Sequence, residues 1–134
     1  MNLVDVAQQL ADRAKTLGQL NTFPHPADAI VPDALEIELP EEIDFDGTYG
    51  RGMDSVELTV NVLVGKIGDA ASARRLMAYL SGSGPRSIKQ VLETGNYTAM
   101  DEVHVSRART AGISVAGQTY LGGQFTVQVV GQGE

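Results

Sequence analysis

Residues 56–64 read Val-Glu-Leu-Thr-Val-Asn-Val-Leu-Val. Val56, Leu58, Val60, Val62 and Val64 recur every second position, with Glu57, Thr59 and Asn61 between them and Leu63 as the exception. Side chains on a strand alternate between its two faces, so this period predicts a strand with one apolar and one polar side. Its length and strict alternation predict a central, antiparallel member of a sheet.

On the N-terminal side, Leu35, Ile37 and Leu39 alternate with Glu36 and Glu38, which predicts a half-exposed strand. Pro24, Pro26, Pro32 and Pro40 exclude a helix from residues 19–55 and confine strands there to short or edge pieces. Asp44 to Asp54, with Gly47, Gly50 and Gly52, reads as a loop. The start of the chain is helical. Leu3, Val6, Ala7, Leu10, Ala14 and Leu17 share one face, Asn2 is placed to cap the helix, and Gly18 to stop it.

Beyond the central strand, Asp69 is expected to cap a second helix with the stripe Ala73, Leu76, Met77 and Leu80 and with Arg74 and Arg75 outward. Pro85 suits the first position of a short third helix that buries Ile88, Val91 and Leu92 and stops at Gly95. The last third is β: a strand around Val103 and Val105, then Ile113–Val115 and Thr119–Val130 as a hairpin across Ala116-Gly117-Gln118. Runs of strands mixed with helices predict an α+β fold: a single domain over residues 1–134 with a mostly antiparallel β-sheet and helices packed on one face.

With 134 residues, 43% of them hydrophobic, the chain is long enough to bury one core without staples. The absence of cysteine excludes disulfides, thiolate metal sites and a cysteine nucleophile. No apolar run approaches the ~20 residues of a membrane helix, so no membrane association is expected. The amphipathic start, with Asp5, Asp12, Arg13 and Lys15, does not read as a signal peptide.

A net charge of −7 argues against nucleic-acid binding as the main task. Residues 33–57 hold nine acids (Asp33, Glu36, Glu38, Glu41, Glu42, Asp44, Asp46, Asp54, Glu57) against Arg51 alone. Residues 58–109 hold seven bases (Lys66, Arg74, Arg75, Arg86, Lys89, Arg107, Arg109) against four acids. Such a split is either a solvated acidic loop or a pair of complementary faces for head-to-tail self-assembly.

No group of residues has the pattern of an active site, so no enzymatic activity, cofactor or metal is expected. His25 sits between two prolines and His104 on the polar side of a strand; neither has a second ligand at metal spacing. Gly112-Ile113-Ser114-Val115-Ala116 resembles a serine elbow, but it falls in a hairpin with no helix after it. Asp44-Phe45-Asp46-Gly47 is a fragment of a calcium loop without its bidentate Glu. Gly82-Ser83-Gly84-Pro85-Arg86-Ser87 is the best phosphate-loop candidate, yet it follows a helix, lacks the Gly-Lys-Ser/Thr ending and loses a donor at Pro85.

Asp46-Gly47-Thr48-Tyr49-Gly50-Arg51-Gly52-Met53-Asp54 runs directly into the central strand, Gly68-Asp69 opens a helix with Ala73-Arg74-Arg75-Leu76, and Leu80 to Lys89 reads LSGSGPRSIK. With the N-terminal LADRAKTL and the closing hairpin from Thr119 to Val127, this resembles the tail terminator, or tail-completion, proteins of siphophages that infect actinobacteria, over roughly residues 3–130. The resemblance implies a structural virion protein at the tail–head junction, assembled in the host cytoplasm. It implies a homo-oligomeric ring, usually of six copies, that caps the tail tube and ends its polymerisation. Its implied partners are the tail tube protein and the head-completion (stopper) protein, with DNA passing through the lumen and no sequence-specific binding. Asp44, Asp46, Tyr49, Arg51, Asp54, Arg74, Arg75 and Arg86 are the candidate assembly residues, and Glu41 and Glu42 the candidate acids facing the lumen. The alternatives are docking of the acidic loop on the tail tube, another neck component such as a head–tail connector, or a small anion- or nucleotide-binding domain using Gly82 to Arg86.

Overall fold

The computed structural model describes residues 1–26, 30–45 and 53–132. Its elements are α1 (Leu3–Lys15), β1 (Asn21–Phe23), β2 (Ala34–Ile37), β3 (Ile43–Asp44), β4 (Met53–Gly65), α2 (Ala70–Leu80), α3 (Ile88–Glu93), β5 (Glu102–Val115) and β6 (Gln118–Gln132). The strands form one sheet in the order β1-β2-β4-β6-β5, with β3 pairing β4 beside β2. Among the described residues only β1 and β2 run parallel. The domain is α+β with a mostly antiparallel sheet, as the sequence predicts.

β4 is central and antiparallel to β2, β3 and β6. Its alternating Val56, Leu58, Val60 and Val62 meet Leu35 and Ile37 of β2 and Phe125, Val127 and Val129 of β6 on one face, and the helices bury that face with Val6, Leu10, Leu76, Ile88 and Leu92. Leu63, the exception in the alternation, points to the other face, where Ile113 and Val115 join it in a small second cluster against Ile30.

α1 follows its sequence. The Asn2 side chain accepts from Val4 N (3.0 Å) and Asp5 N (3.2 Å), satisfying two of the unpaired amides at the helix start. The helix closes ahead of Gly18, which adopts φ +77°. α2 differs. Its buried residues are Ser72, Leu76 and Tyr79, and Met77 is 62% exposed. Ser72-Leu76-Tyr79 and Ala73-Leu76-Leu80 both have helical spacing. The first is selected because the Tyr79 hydroxyl finds polar partners inside and Ser72 packs on Gly65, where a Cβ would sit 2.6 Å from Ser72 Oγ. α3 starts at Ile88, not at Pro85. Ser87 is its cap, with Oγ accepting from Gln90 N at 3.1 Å, and Pro85 lies in the turn before.

β2 is not half-exposed: all four of its residues are buried, Glu36 included. Alternation tells which side a residue faces but not whether that side is covered, and the Glu36 carboxylate lies against the Asn61 amide. The segment expected as a loop from Asp44 contributes β3 at one end and the start of β4 at the other, and 46–52 lie outside the described residues. β5 is one continuous strand with a bulge between Val105 and Arg107. The β5–β6 turn has two residues, Ala116 (φ +51°) and Gly117 (φ +79°), since Gln118 already pairs with Val115. Two positive φ values in succession match the hairpin turn whose twist suits the flanking strands.

Candidate functional site: the open face of the sheet

Opposite the helices the sheet carries polar rows that run across the strands. Glu38 N donates to Thr59 O, which places Glu38 beside Thr59. The row continues through Thr126 to Arg107. The next row is Glu36, Asn61, Gln124, Arg109. A third is Glu57, Gln128, His104. Each begins with an acid, crosses neutral amide or hydroxyl side chains and ends on a basic residue or histidine. The row Asp44, Ser55, Val130, Glu102 closes the gradient with an acid.

Local chemistry fixes both ends. Asn61 Nδ2 donates to Glu38 Oε2 (2.9 Å) and lies 3.4 Å from Glu36 Oε1. Arg109 donates through Nε and Nη2 to Gln124 Oε1 (2.9 and 2.6 Å), which lays its guanidinium along the sheet. Residues 38–44 fold over the acidic margin and enclose a groove of about 560 Å³ lined by five carboxylates, those of Glu38, Glu41, Glu42, Asp44 and Glu57. Among the described residues no group of histidines and carboxylates is arranged to hold a metal ion. No helix of the described residues is long and apolar enough to cross a membrane.

The sequence-derived candidates separate in space. Asp44, Glu41 and Glu42 line the acidic groove. Arg74 is exposed on α2. Asp46, Tyr49 and Arg51 lie outside the described residues. Asp54 is buried, with its carboxylate 3.7 Å from the Met1 ammonium. Arg75 turns back on its own chain, donating to Val64 O (2.6 Å), Asp33 Oδ1 (3.3 Å) and Ser72 Oγ (3.3 Å).

Arg86 is the most deeply committed. Its Nη1 donates to Leu17 O (2.6 Å) and its Nη2 to the Tyr79 hydroxyl (2.8 Å), and the guanidinium lies 5.2 Å from the Tyr79 ring centroid. That hydroxyl in turn donates to Asp33 Oδ2 at 2.9 Å. Burial pushes the Tyr79 phenol above its ordinary range against the pull of Arg86, so it remains the donor to Asp33. Asp69, Ser72, Arg75, Asp33, Tyr79 and Arg86 thus form one chain of bonds from the start of α2 to the C-terminal turn of α1.

In the phosphate-loop candidate Gly84 N and the Ser87 hydroxyl are engaged within the chain. Gly84 N goes to Gln90 Oε1 (2.9 Å), Gln90 N to Ser87 Oγ, and Ser87 Oγ donates to Ser81 O (2.5 Å). Ser114 pairs with the Thr119 hydroxyl across the hairpin at 3.0 Å. His25 and His104 are both exposed. His104 stands 3.2 Å from Glu93 Oε2, a contact between a strand and a helix that sequence spacing does not signal.

The arginines at the far end of the gradient, Arg107 and Arg109, are the residues the sequence reading left out of its site. Their signal was available: two basic residues two positions apart on a strand share a face. No protein-family model matches the sequence, and no curated protein does either.

Proposed function

We propose that the chain is a structural virion protein of a long-tailed phage. It forms a ring that caps the tail tube, ends tube polymerisation and joins the tail to the head-completion complex. The observation that carries this reading is the graded open face, with uncompensated acids at one margin of the sheet and arginines at the other. Among the described residues the side chains of Glu41, Glu42, Asp44 and Arg107 make no ion pair. Two different and complementary margins on one chain suit a heterologous contact, the kind that closes into a ring when the rotation between copies allows it. The resemblance in residues 46–54, 68–76 and 80–89 supplies the rest: the tube beneath, the stopper above and DNA passing through.

The test is light scattering of the purified protein over a range of concentration, then negative-stain imaging with tail tubes added. Six chains of 14.2 kDa give a ring of about 85 kDa. Rings of that mass, or caps on tube ends, are expected. Particles that bind the head-side complex but leave tube ends bare would move the chain to another position in the neck. A protein that forms neither rings nor caps, and that phosphate stabilises against heat, would replace assembly with anion binding.

A further inference from the structure

Among the described residues β5 is the sheet's long edge, and it is protected at a single point. Val105 N donates to Glu93 Oε2 at 2.8 Å and Val105 O accepts from Lys89 Nζ at 3.2 Å. Lys89 and Glu93 are themselves paired at 2.6 Å. These two side chains of α3 thus replace a neighbouring strand for one residue of the edge. Past the bulge the situation changes. Residues 106–110 are exposed on both faces, and among the described residues nothing beyond β6 pairs with the backbone of 107–114. An unpaired edge of that length is a template for another strand.

The charges decide which strand. Arg107 and Arg109 lie on the open face of this edge, so a second β5 edge would bring like charges together, which disfavours a symmetric dimer through β5. The complementary surface lies on the same face at the opposite margin, where, among the described residues, β3 pairs only with β4, and Glu41, Glu42 and Asp44 stand over the groove. Leu39 (75% exposed) and Phe45 (71% exposed) flank those acids and offer apolar surface to cover.

We infer that the occupant of the β5 edge is the acidic margin of a second copy of this chain. β5 residues 107–114 add to the sheet of the neighbour beside β3, and Arg107 and Arg109 enter the groove lined by Glu41, Glu42 and Asp44. This rests on the reading of the chain as a self-assembling protein. It also gives Glu41 and Glu42 a place between copies instead of the lumen expected from the sequence.

The experiment is a charge swap. Arg107→Glu/Arg109→Glu and Glu41→Lys/Glu42→Lys/Asp44→Lys are prepared separately and mixed, with circular dichroism confirming that each folds. Sedimentation reads the assembly state. Wild type associates, each variant alone sediments as a monomer with affinity lowered at least tenfold, and the mixture recovers association because it contains one matched acid–base margin per contact. Association by either charge variant at wild-type affinity overturns the inference and leaves the ring reading standing. So does a mixture that fails to associate, or a wild-type protein that stays monomeric yet caps tube ends. A wild-type protein that neither associates nor caps tubes defeats the proposed function as well. Intact rings of the acid-reversed variant with slowed DNA ejection would return Glu41 and Glu42 to the lumen.

Discussion

Replacing Arg86 by methionine tests whether this arginine belongs to the fold or to a surface between copies. Methionine retains much of the apolar stem and removes the guanidinium. Two hydrogen bonds from a charged donor are lost, to Leu17 O at 2.6 Å and to the Tyr79 hydroxyl at 2.8 Å, together with the contact to the Tyr79 ring. A hydrogen bond from a charged group contributes about 1.5–3 kcal/mol and a cation–π contact about 0.5–1 kcal/mol. The lower ends apply, because Arg86 is only half-buried and water can reach Leu17 O once it leaves. Tyr79 keeps its bond to Asp33, so no hydroxyl is orphaned. The expected loss is about 3.5 kcal/mol, a fall in Tm of roughly 12 °C for a chain of this size. The assay is thermal and urea unfolding by circular dichroism at one fixed protein concentration, since assembly would otherwise shift Tm. Tyr79→Phe completes a double-mutant cycle with an expected coupling of about 1 kcal/mol. A loss below about 0.5 kcal/mol, or strict additivity with Tyr79→Phe, refutes the argument. Unchanged stability with lost association would place Arg86 between copies, where the sequence reading had it.

Two further outcomes follow from local geometry. Ala116 holds φ +51°, a conformation that costs an L-residue with a Cβ about 1 kcal/mol and that asparagine tolerates better, so Ala116→Asn should raise Tm by roughly 2–4 °C, and a fall would argue against the turn type assigned here. Burial works to raise the Glu93 pKa, but the Lys89 and Val105 N hydrogen bonds and the nearby charges outweigh it and hold the carboxyl below its ordinary value near 4.5. A lowered folded-state pKa stabilises above the unfolded value and is lost as pH falls through the folded one. Glu93→Gln should therefore cost about 0.5–1 kcal/mol at pH 7, a figure reduced for the solvent around this partly exposed side chain, and progressively less as the pH falls below 4.5 through the folded-state pKa; a difference that stays constant down to the acid end of the folded range would show that the charge is not the cause.

How much of this was legible in the sequence depends on the kind of signal. The period-two pattern of residues 56–64 identified β4, its central position and its buried face, because alternation and burial are coupled wherever one side of a strand meets a core. The start of α1 was legible because a cap is a local device: Asn2 reaches only the amides two and three residues ahead. The phase of α2 was not, because two stripes with the same spacing compete and the winner is set by distant partners. Tyr79 takes part in the core since Asp33, 46 positions away, accepts its hydrogen bond, and Arg86 pins it. The burial of Glu36 was hidden for a similar reason, since its neighbour Asn61 belongs to another strand 25 positions on.

The charge split shows the same limit in a form that bears on function. Along the sequence, Arg75, Arg86, Arg107 and Arg109 belong to a single basic block facing an acidic one. In space the block divides. Arg75, though partly exposed, turns back onto Val64 O and Asp33, and Arg86 lies half-buried against Leu17 O and the Tyr79 hydroxyl. Arg107 and Arg109 are carried outward because β5 outruns the helix that protects its edge. α3 is six residues long and ends at Glu93. Its i,i+4 pair offers one donor and one acceptor, enough for the outward N–H and C=O of a single strand residue, which here is Val105. A helix of that length cannot shadow the strand past the bulge, so among the described residues only β6 pairs with the backbone of 107–114. The reach of Lys89 and Glu93, rather than the net charge of the block, therefore sets which arginines bond within the fold and which are carried onto the edge strand beyond the helix.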